Sequence, residues 1–363
     1  MSFKISQIDL FIDECEQSLI EKCLENRWLT EGPFAKKFQE ALGAQTGAKH
    51  VCFAPNGTLG LYLALLALEL DPGSEIVLPT FTFYASATAA VFAGLKPVFV
   101  DVDPNTFNAT PQAFESAIGP RTRAFMPVHI YGQACDVEGI LSVARRNGIR
   151  VVEDAAQALG VTLNGKAAGT FGDIGVYSLF ADKVITSGEG GVVVTDADDL
   201  AAKLNLLRNQ GRPNSGTFVH PSLGMNFRIT DIQAAIGLAQ IDKLPKILAD
   251  RTRKWQFYSS GLKGVGDIQL MSILPGSSLI MFRFPFLTSE REGLTKHLED
   301  RGIQTRGFFY PLHLQPKLRN SSVARLPVAE SLYERGICLP VHYHLSESQM
   351  SEIIDAIRSY FGS

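Results

Sequence analysis

Lys183 stands between an apolar run, Tyr177-Ser178-Leu179-Phe180, and a glycine turn, Thr186-Ser187-Gly188-Glu189-Gly190-Gly191. A lysine held there is partly desolvated, which lowers its pKa and frees the amine to attack a carbonyl. The alternative is a solvated surface lysine, the common state of that side chain. The small residues around it let a flat ligand approach, and they serve equally as turn chemistry. A second group is the acid that closes Val151-Val152-Glu153-Asp154. Ligands of open α/β sheets bind outside the carboxyl ends of the strands. Asp154 there either holds a positive charge, such as a protonated ring nitrogen or a metal-bound water, or caps a following helix. A third is Asn56-Gly57-Thr58, ahead of the helical run Leu59–Glu69. Free N–H groups, a hydroxyl and the helix dipole make a phosphate seat, although a plain N-cap has the same residues. The fourth is Pro79-Thr80-Phe81-Thr82-Phe83-Tyr84, where an aromatic after a strand either stacks on a planar ring or joins the core.

These groups must be positioned by the elements between them. Strands are predicted at His50–Ala54, Glu75–Leu78, Pro97–Val102, Ala124–Val128 and Arg150–Glu153, alternating with helices at Thr58–Glu69, Tyr84–Ala93, Pro111–Ile118 and Val137–Asn147. The alternation implies βαβ units. The strands are continuous apolar runs, as in a mainly parallel sheet buried on both faces. Val161–Gly169, with its Asn164-Gly165 turn, reads as a hairpin, and Gly175–Leu179 and Gly191–Thr195 as further strands of the same core. A long helix from about Thr230 to Leu262, interrupted at Pro245, bridges to a second, smaller domain. That domain has strands near Leu279–Phe286 and Gln304–Phe309 and helices near Glu290–Arg301 and Glu347–Phe361. The expected division is 1–245 and 246–363. The first ~45 residues read as helical and are expected to pack on the small domain or on a partner subunit.

Composition bounds the function. The chain has 363 residues, 45% hydrophobic and 20% charged, which excludes a disordered, collagen-like or coiled-coil protein. With 34 basic against 37 acidic residues the net charge is −3, which argues against a general nucleic-acid binder. Cys15, Cys23, Cys52, Cys135 and Cys338 are scattered and odd in number, so neither a disulfide framework nor a metal site is expected. The start, broken by Asp9, Asp13, Glu14 and Glu16, does not read as a signal peptide, and no apolar run approaches membrane-spanning length. A cytoplasmic enzyme without membrane partners is the expectation. Neither a Gly-x-Gly-x-x-Gly turn nor a P-loop is present, which disfavours a nicotinamide dehydrogenase or P-loop enzyme.

A phosphate seat, an aromatic plate, a strand-end acid and a glycine-flanked lysine, in that order, are the parts pyridoxal 5′-phosphate needs. At this point the chain resembles the sugar-nucleotide aminotransferases of the DegT/DnrJ/EryC1/StrS type. The resemblance rests on Ser178 through Gly191, Glu153-Asp154-Ala155-Ala156-Gln157, Val128-His129-Ile130-Tyr131-Gly132, and Gly224-Met225-Asn226-Phe227-Arg228 with Asp231-Ile232-Gln233-Ala234-Ala235. It runs nearly end to end, from Trp28-Leu29-Thr30-Glu31-Gly32 to Leu339-Pro340-Val341-His342. It implies an aspartate-aminotransferase-like fold (fold type I), with a large mainly parallel-sheet domain and a smaller C-terminal α+β domain. It also implies that Lys183 is the Schiff-base lysine, that Asp154 pairs with the pyridine nitrogen, and that Gln157 lies near the phenolic oxygen. Phe83 would stack on the ring, while Gly57, Thr58, Leu59 and Ser178 would hold the phosphate. Asn226 would reach the cofactor of a neighbouring subunit, which makes the site that of a homodimer. Leu179 and Asn56 depart from the family, which usually has an aromatic and a serine there.

A dehydrase branch of the family carries histidine where this chain has Lys183, so the lysine points to transamination. L-Glutamate is the implied amino donor. Thr30, Glu31, Arg228, Tyr310 and His313 are candidate substrate contacts, with loop packing the alternative for Tyr310 and His313. Thr305–His313 and His220–Asn226 most resemble GDP-perosamine synthases, which implies a GDP-linked 4-keto-6-deoxy sugar and a product used in surface polysaccharide or O-antigen assembly. A UDP- or dTDP-linked 3- or 4-ketosugar, a sugar dehydrase, and a regulatory protein retaining the fold without turnover are the alternatives.

Overall fold

The apolar runs become strands in the computed structural model, which describes residues 3–214, 216–318 and 325–362. They are β1 (His50–Ala54), β2 (Glu75–Pro79), β3 (Lys96–Val100), β4 (Thr122–Phe125) and β5 (Arg150–Asp154); a hairpin of β6 (Thr162–Leu163) and β7 (Lys166–Ala167); then β8 (Ile174–Ser178) and β9 (Gly191–Thr195). Outside the hairpin they form one seven-stranded sheet in the order β1-β9-β8-β5-β4-β2-β3. β9 runs against both its neighbours, and the other six strands point one way. The carboxyl ends of β1, β2, β5 and β8 therefore open on one edge, and Asn56, Thr82, Asp154 and Ser178 are gathered there.

Eleven helices are described: α1 (Glu14–Glu25), α2 (Pro33–Thr46), α3 (Gly57–Ala67), α4 (Tyr84–Phe92), α5 (Pro111–Ser116), α6 (Val137–Asn147), α7 (Asp198–Arg208), α8 (Asp231–Leu262), α9 (Arg291–Glu299), α10 (Pro327–Arg335) and α11 (Glu347–Phe361). α3 is apolar nearly all round, so it is buried between the sheet, α4 and α7. Gly60 permits that approach: a Cβ there would stand 2.8 Å from Val176 Cγ1. α7 was not expected from the sequence, yet Leu200, Ala201, Leu204 and Leu207 bury one face of it.

α8 passes through Pro245 without ending, contrary to the predicted interruption. Proline removes one ladder hydrogen bond and crowds the preceding turn. Packing of α1 and α2 along α8, and of α11 further on, offsets that cost. The start of α2 has no capping side chain of its own; Asp231 supplies one, accepting from the N–H groups of Gly32 (3.0 Å), Phe34 (3.2 Å) and Ala35 (2.8 Å). Thus α1 and α2 pack on α8, and it is the preceding segment that touches the C-terminal layer. There Ile5 bridges to Ile303, and Phe11 stacks on Tyr343 with ring centroids 3.9 Å apart.

β10 (Gln269–Leu270), β11 (Phe284–Leu287), β12 (Arg306–Gly307) and β13 (Gly336–Leu339) make a smaller antiparallel sheet ordered β10-β11-β13-β12. The strand expected over Leu279–Phe286 begins only at Phe284. Residues 279–283 instead bond to the other layer, where the N–H groups of Ile280 and Phe282 donate to the carbonyls of Gly132 and Tyr131. That detour carries Phe282 and Arg283 to the carboxyl edge of the main sheet. Among the described residues no helix is long and apolar enough to cross a membrane.

Candidate active site

Asn56 begins the site. Its side chain caps α3 by accepting from the N–H of Leu59 at 2.9 Å. The N–H groups of Gly57 and Thr58, which have no intrahelical partner, open beside Ser178. A Cβ on Gly57 would stand 3.0 Å from Ser178 Cβ and 3.2 Å from its Oγ, so glycine keeps this corner free. The cap and the anion seat are thus both present. Leu59 is outside the lining of the cavity, its N–H taken by the cap.

The cavity at this edge measures about 570 Å³ and is bordered by Gly57, Thr58, Phe83, Asp154, Gln157, Ser178 and Lys183, within the usual range for a small-molecule site. Phe83 borders it and is 58% exposed, which excludes the core reading, and meets Phe309 edge-on with centroids 6.2 Å apart. Gln157 is fixed by the N–H of Tyr131, which donates to its Oε1 at 2.9 Å.

Asp154 caps no helix, because turns follow β5. It is 5% exposed. Ser86 donates its hydroxyl to Oδ2 at 2.6 Å, and the Ala156 N–H reaches Oδ1 at 3.1 Å. Burial pushes its pKa up, and these two donors oppose the rise. Beneath it, Glu153 accepts from the N–H groups of Gly169, Phe171 and Gly172 and faces the His129 ring at 2.9 Å, locking the strand end.

Lys183 is no surface residue: its side chain is 16% exposed. Burial lowers its pKa, Asp182 opposes that, and Arg283 adds to it. An amine so depressed in a cavity is a competent nucleophile and proton carrier.

The other expected contacts lie elsewhere. Thr30 bridges to Thr230. Glu31 pairs with Arg208, and Arg228 donates to Asn209 Oδ1 at 3.0 Å. Asn226 Oδ1 accepts from the Arg228 N–H, on an exposed loop. Tyr310 packs edge-on against Tyr333 with centroids 5.0 Å apart. His313 is 4% exposed, with its ring nitrogens 2.8 Å from Thr80 Oγ1 and 3.4 Å from Glu330 Oε1. None of these six borders the cavity. Sequence reasoning missed Ser86, Asp182, Phe282, Arg283, Arg306 and Phe309. Asp182 adjoins the lysine and Phe309 lies in Thr305–His313, so both were within sight; the others arrive through long-range packing.

Sheet order, strand-end acid and buried lysine are together those of an aminotransferase. The DegT/DnrJ/EryC1/StrS aminotransferase family model matches residues 11–358, and the chain belongs to that family. It is similar to the GDP-perosamine synthase of Caulobacter vibrioides, 38% identical over 353 residues and 95% of each chain. It is also similar to the UDP-N-acetyl-3-dehydro-alpha-D-glucosamine 3-aminotransferase of Acidithiobacillus ferrooxidans, 37% identical over 342 residues, 93% of this chain and 92% of the other. Among solved structures it matches DesV of S. venezuelae in complex with a ketimine intermediate: TM-score 0.92, 32% identity, 96% of this chain and 94% of that one. The protein is a pyridoxal-phosphate-dependent sugar-nucleotide aminotransferase. The cavity suits that cofactor: its one buried carboxylate at a strand end bonds only neutral donors among the described residues, its helix terminus offers free N–H groups, and its amine is depressed.

Proposed function

We propose that this enzyme moves the amino group of L-glutamate to the carbonyl of a GDP-linked 4-keto-6-deoxyhexose. The observation that carries this reading is the likeness to GDP-perosamine synthase along nearly the whole of both chains, with a lysine at 183. Pyridoxal phosphate, when bound, supplies an electron sink and a carbon that carries nitrogen from donor to acceptor. Gly57, Thr58 and Ser178 would hold its phosphate at the α3 terminus, Phe83 would cover one ring face, Gln157 would approach the phenolic oxygen, and Asp154 would keep a proton on the ring nitrogen. Lys183 would hold the cofactor covalently. Once freed, its Nζ would take a proton from the donor's α-carbon and hand it on, and the same amine would serve the sugar in reverse. An amine at 183 favours this exchange over dehydration.

Residues 1–245 would bind the cofactor and 246–363 would close over the substrate. The homodimer belongs to the same proposal. Phe218, Val219, Leu223 and Met225 are 89%, 71%, 96% and 53% exposed around Asn226, and an apolar loop of that kind calls for a covering surface. Thr30, Glu31 and Arg228 would act toward substrate from the partner copy, and a reducing, cytoplasmic setting fits five unpaired cysteines. A second reading, amination of a UDP-linked 3-ketosugar, is favoured by the 37% identical aminotransferase.

Mass spectrometry of products from GDP-, UDP- and dTDP-ketosugars with glutamate tests both. Amination of the GDP sugar with matching 2-oxoglutarate is expected. Amination of the UDP sugar alone moves the assignment to the second reading, and amination of none overturns both.

A further inference from the structure

Lys183 must leave the cofactor in each half-reaction, and a free ammonium in a buried site needs a place to rest. The wall behind it supplies two partners. Its Nζ stands 4.1 Å from the centre of the Phe282 ring and 3.7 Å from Asp182 Oδ1. The acid is held in place from its other side, where Arg283 donates to Asp182 Oδ2 at 2.7 Å. Arg283 also lies over Phe282, its guanidinium carbon 4.9 Å from the ring centre. Phe282 is fixed in turn by α8, since Arg251 reaches the carbonyls of Met281 (3.3 Å) and Phe282 (3.4 Å). Cation–π contact and a nearby carboxylate both favour the charged form of an amine.

A second cavity, of about 40 Å³, lies on the far side of this wall. Asp182 Oδ1, Arg251 Nε, both His342 ring nitrogens and Gln7 Oε1 are buried with no hydrogen-bond partner among the described residues, and all four side chains border that cavity. Donors and acceptors are mixed there, a lining that water satisfies and that neither an anion nor a cation alone does. Its volume suits about two or three waters, which would give the Asp182 Oδ1 the partners the protein does not.

We infer that Asp182 and Phe282 form a resting site for Lys183 once its Nζ has taken up the donor's proton, with Asp182 as a positioning residue that holds the protonated amine in place until it hands that proton on. This rests on the pyridoxal-phosphate reading of Lys183 and not on the identity of the sugar. The charged groups facing the amine are Asp182 from its own loop, Asp154 from β5, and Arg283 from the 279–283 segment. Glu189 and Arg306 line the front cavity, and Arg251, His342 and Asp9 the one behind. Asp182 is the acid whose charge most opposes the burial that depresses the lysine.

The test uses the full chain loaded with pyridoxamine phosphate, in which Lys183 is free, and no sugar. Acetylation of Lys183 by acetic anhydride is followed by peptide mass spectrometry as a function of pH. Asp182→Asn keeps the size and the Arg283 contact but removes the charge. Its profile is expected to move down by about one unit, within the range for an opposite charge at this distance, so that labelling below the midpoint is about tenfold faster. Phe282→Leu is expected to move the profile the same way by about half a unit, and Phe282→Tyr to restore it. A downward shift of about half a unit or more in Asp182→Asn supports the resting site. A smaller shift, an upward one, or no difference from the parent overturns it. Because no ketosugar is present, failure of the substrate assignment leaves this result unaffected.

Discussion

Replacing Ser86 with alanine removes the strongest donor to Asp154. The Ser86 hydroxyl lies 2.6 Å from Oδ2 and 3.1 Å from the Thr82 hydroxyl. One proton from each makes a short relay, Thr82 to Ser86 to carboxylate. A hydrogen bond to a charged acceptor contributes about 1.5–3 kcal/mol, and one pKa unit corresponds to about 1.36 kcal/mol. Loss of the hydroxyl therefore raises the Asp154 pKa by about one to two units above a value that burial has already raised. The role proposed for Asp154 needs its carboxylate ionised, so activity is expected to fall as pH drops through that pKa. In Ser86→Ala the fall begins at correspondingly higher pH, while the rate at high pH changes little. The assay is the half-reaction with glutamate, followed by visible absorbance from acid to alkaline pH, with far-ultraviolet dichroism to show that the fold persists. Thr82→Val, which only unseats the relay, is expected to shift the limb by less than half as much. Superimposable acid limbs for Ser86→Ala and the parent, with Asp154→Asn inactive, would refute the assignment of Ser86 as the group that keeps Asp154 charged.

Three further outcomes follow from the geometry. Glu153→Gln forfeits the charge that gathers three backbone N–H groups and the His129 ring; urea denaturation is expected to show a loss of about 3 kcal/mol, and an unchanged midpoint would contradict the locking role. In Gly57→Ala the new methyl stands 3.0 Å from Ser178 Cβ, and spectroscopic titration is expected to give about tenfold weaker cofactor binding, from overpacking of about 1–2 kcal/mol. His342 is buried, and burial pushes its pKa down to about 4 from 6.5. The unfolded chain binds the extra proton between those values, so stability is full above pH ~6.5 and declines toward pH ~4, by at most about 3 kcal/mol; His342→Leu is expected to flatten that part of the melting-temperature profile.

The main sheet was legible because its strands are continuous apolar runs punctuated by Gly, Pro and Asp, and the lysine and acid were legible because each closes or follows such a run. Three kinds of feature were not. Pro245 reads as a break, and only the helices packed along α8 show that the cost is met. β13 is four residues long and α10 has no side-chain cap, so neither carries a local signal strong enough to be seen. Phe282 and Arg283 look like the interior of one strand, and their place beside Lys183 depends on hydrogen bonds to Gly132 and Tyr131 that no periodicity encodes. Candidate contacts chosen by resemblance alone, Thr30, Glu31, Asn226, Arg228, Tyr310 and His313, stand outside the cavity of their own chain. The residues chosen for both position and chemistry, Lys183, Asp154, Gly57, Thr58 and Phe83, all line it, and so do Gln157 and Ser178, which the resemblance alone supplied.

β1 has one neighbour in the sheet, β9, with His50 opposite Thr195 and Ala54 opposite Gly191. On a chain emerging from the ribosome, an apolar segment made early must therefore wait until the glycine-rich turn has been synthesised before its backbone groups find partners. Loop closure over that separation is slow, and an unpaired apolar edge is prone to aggregate while it waits. Newborn chains of this enzyme stalled before residue 191 should be avid clients of cellular holdases, and those extended past 195 should release them.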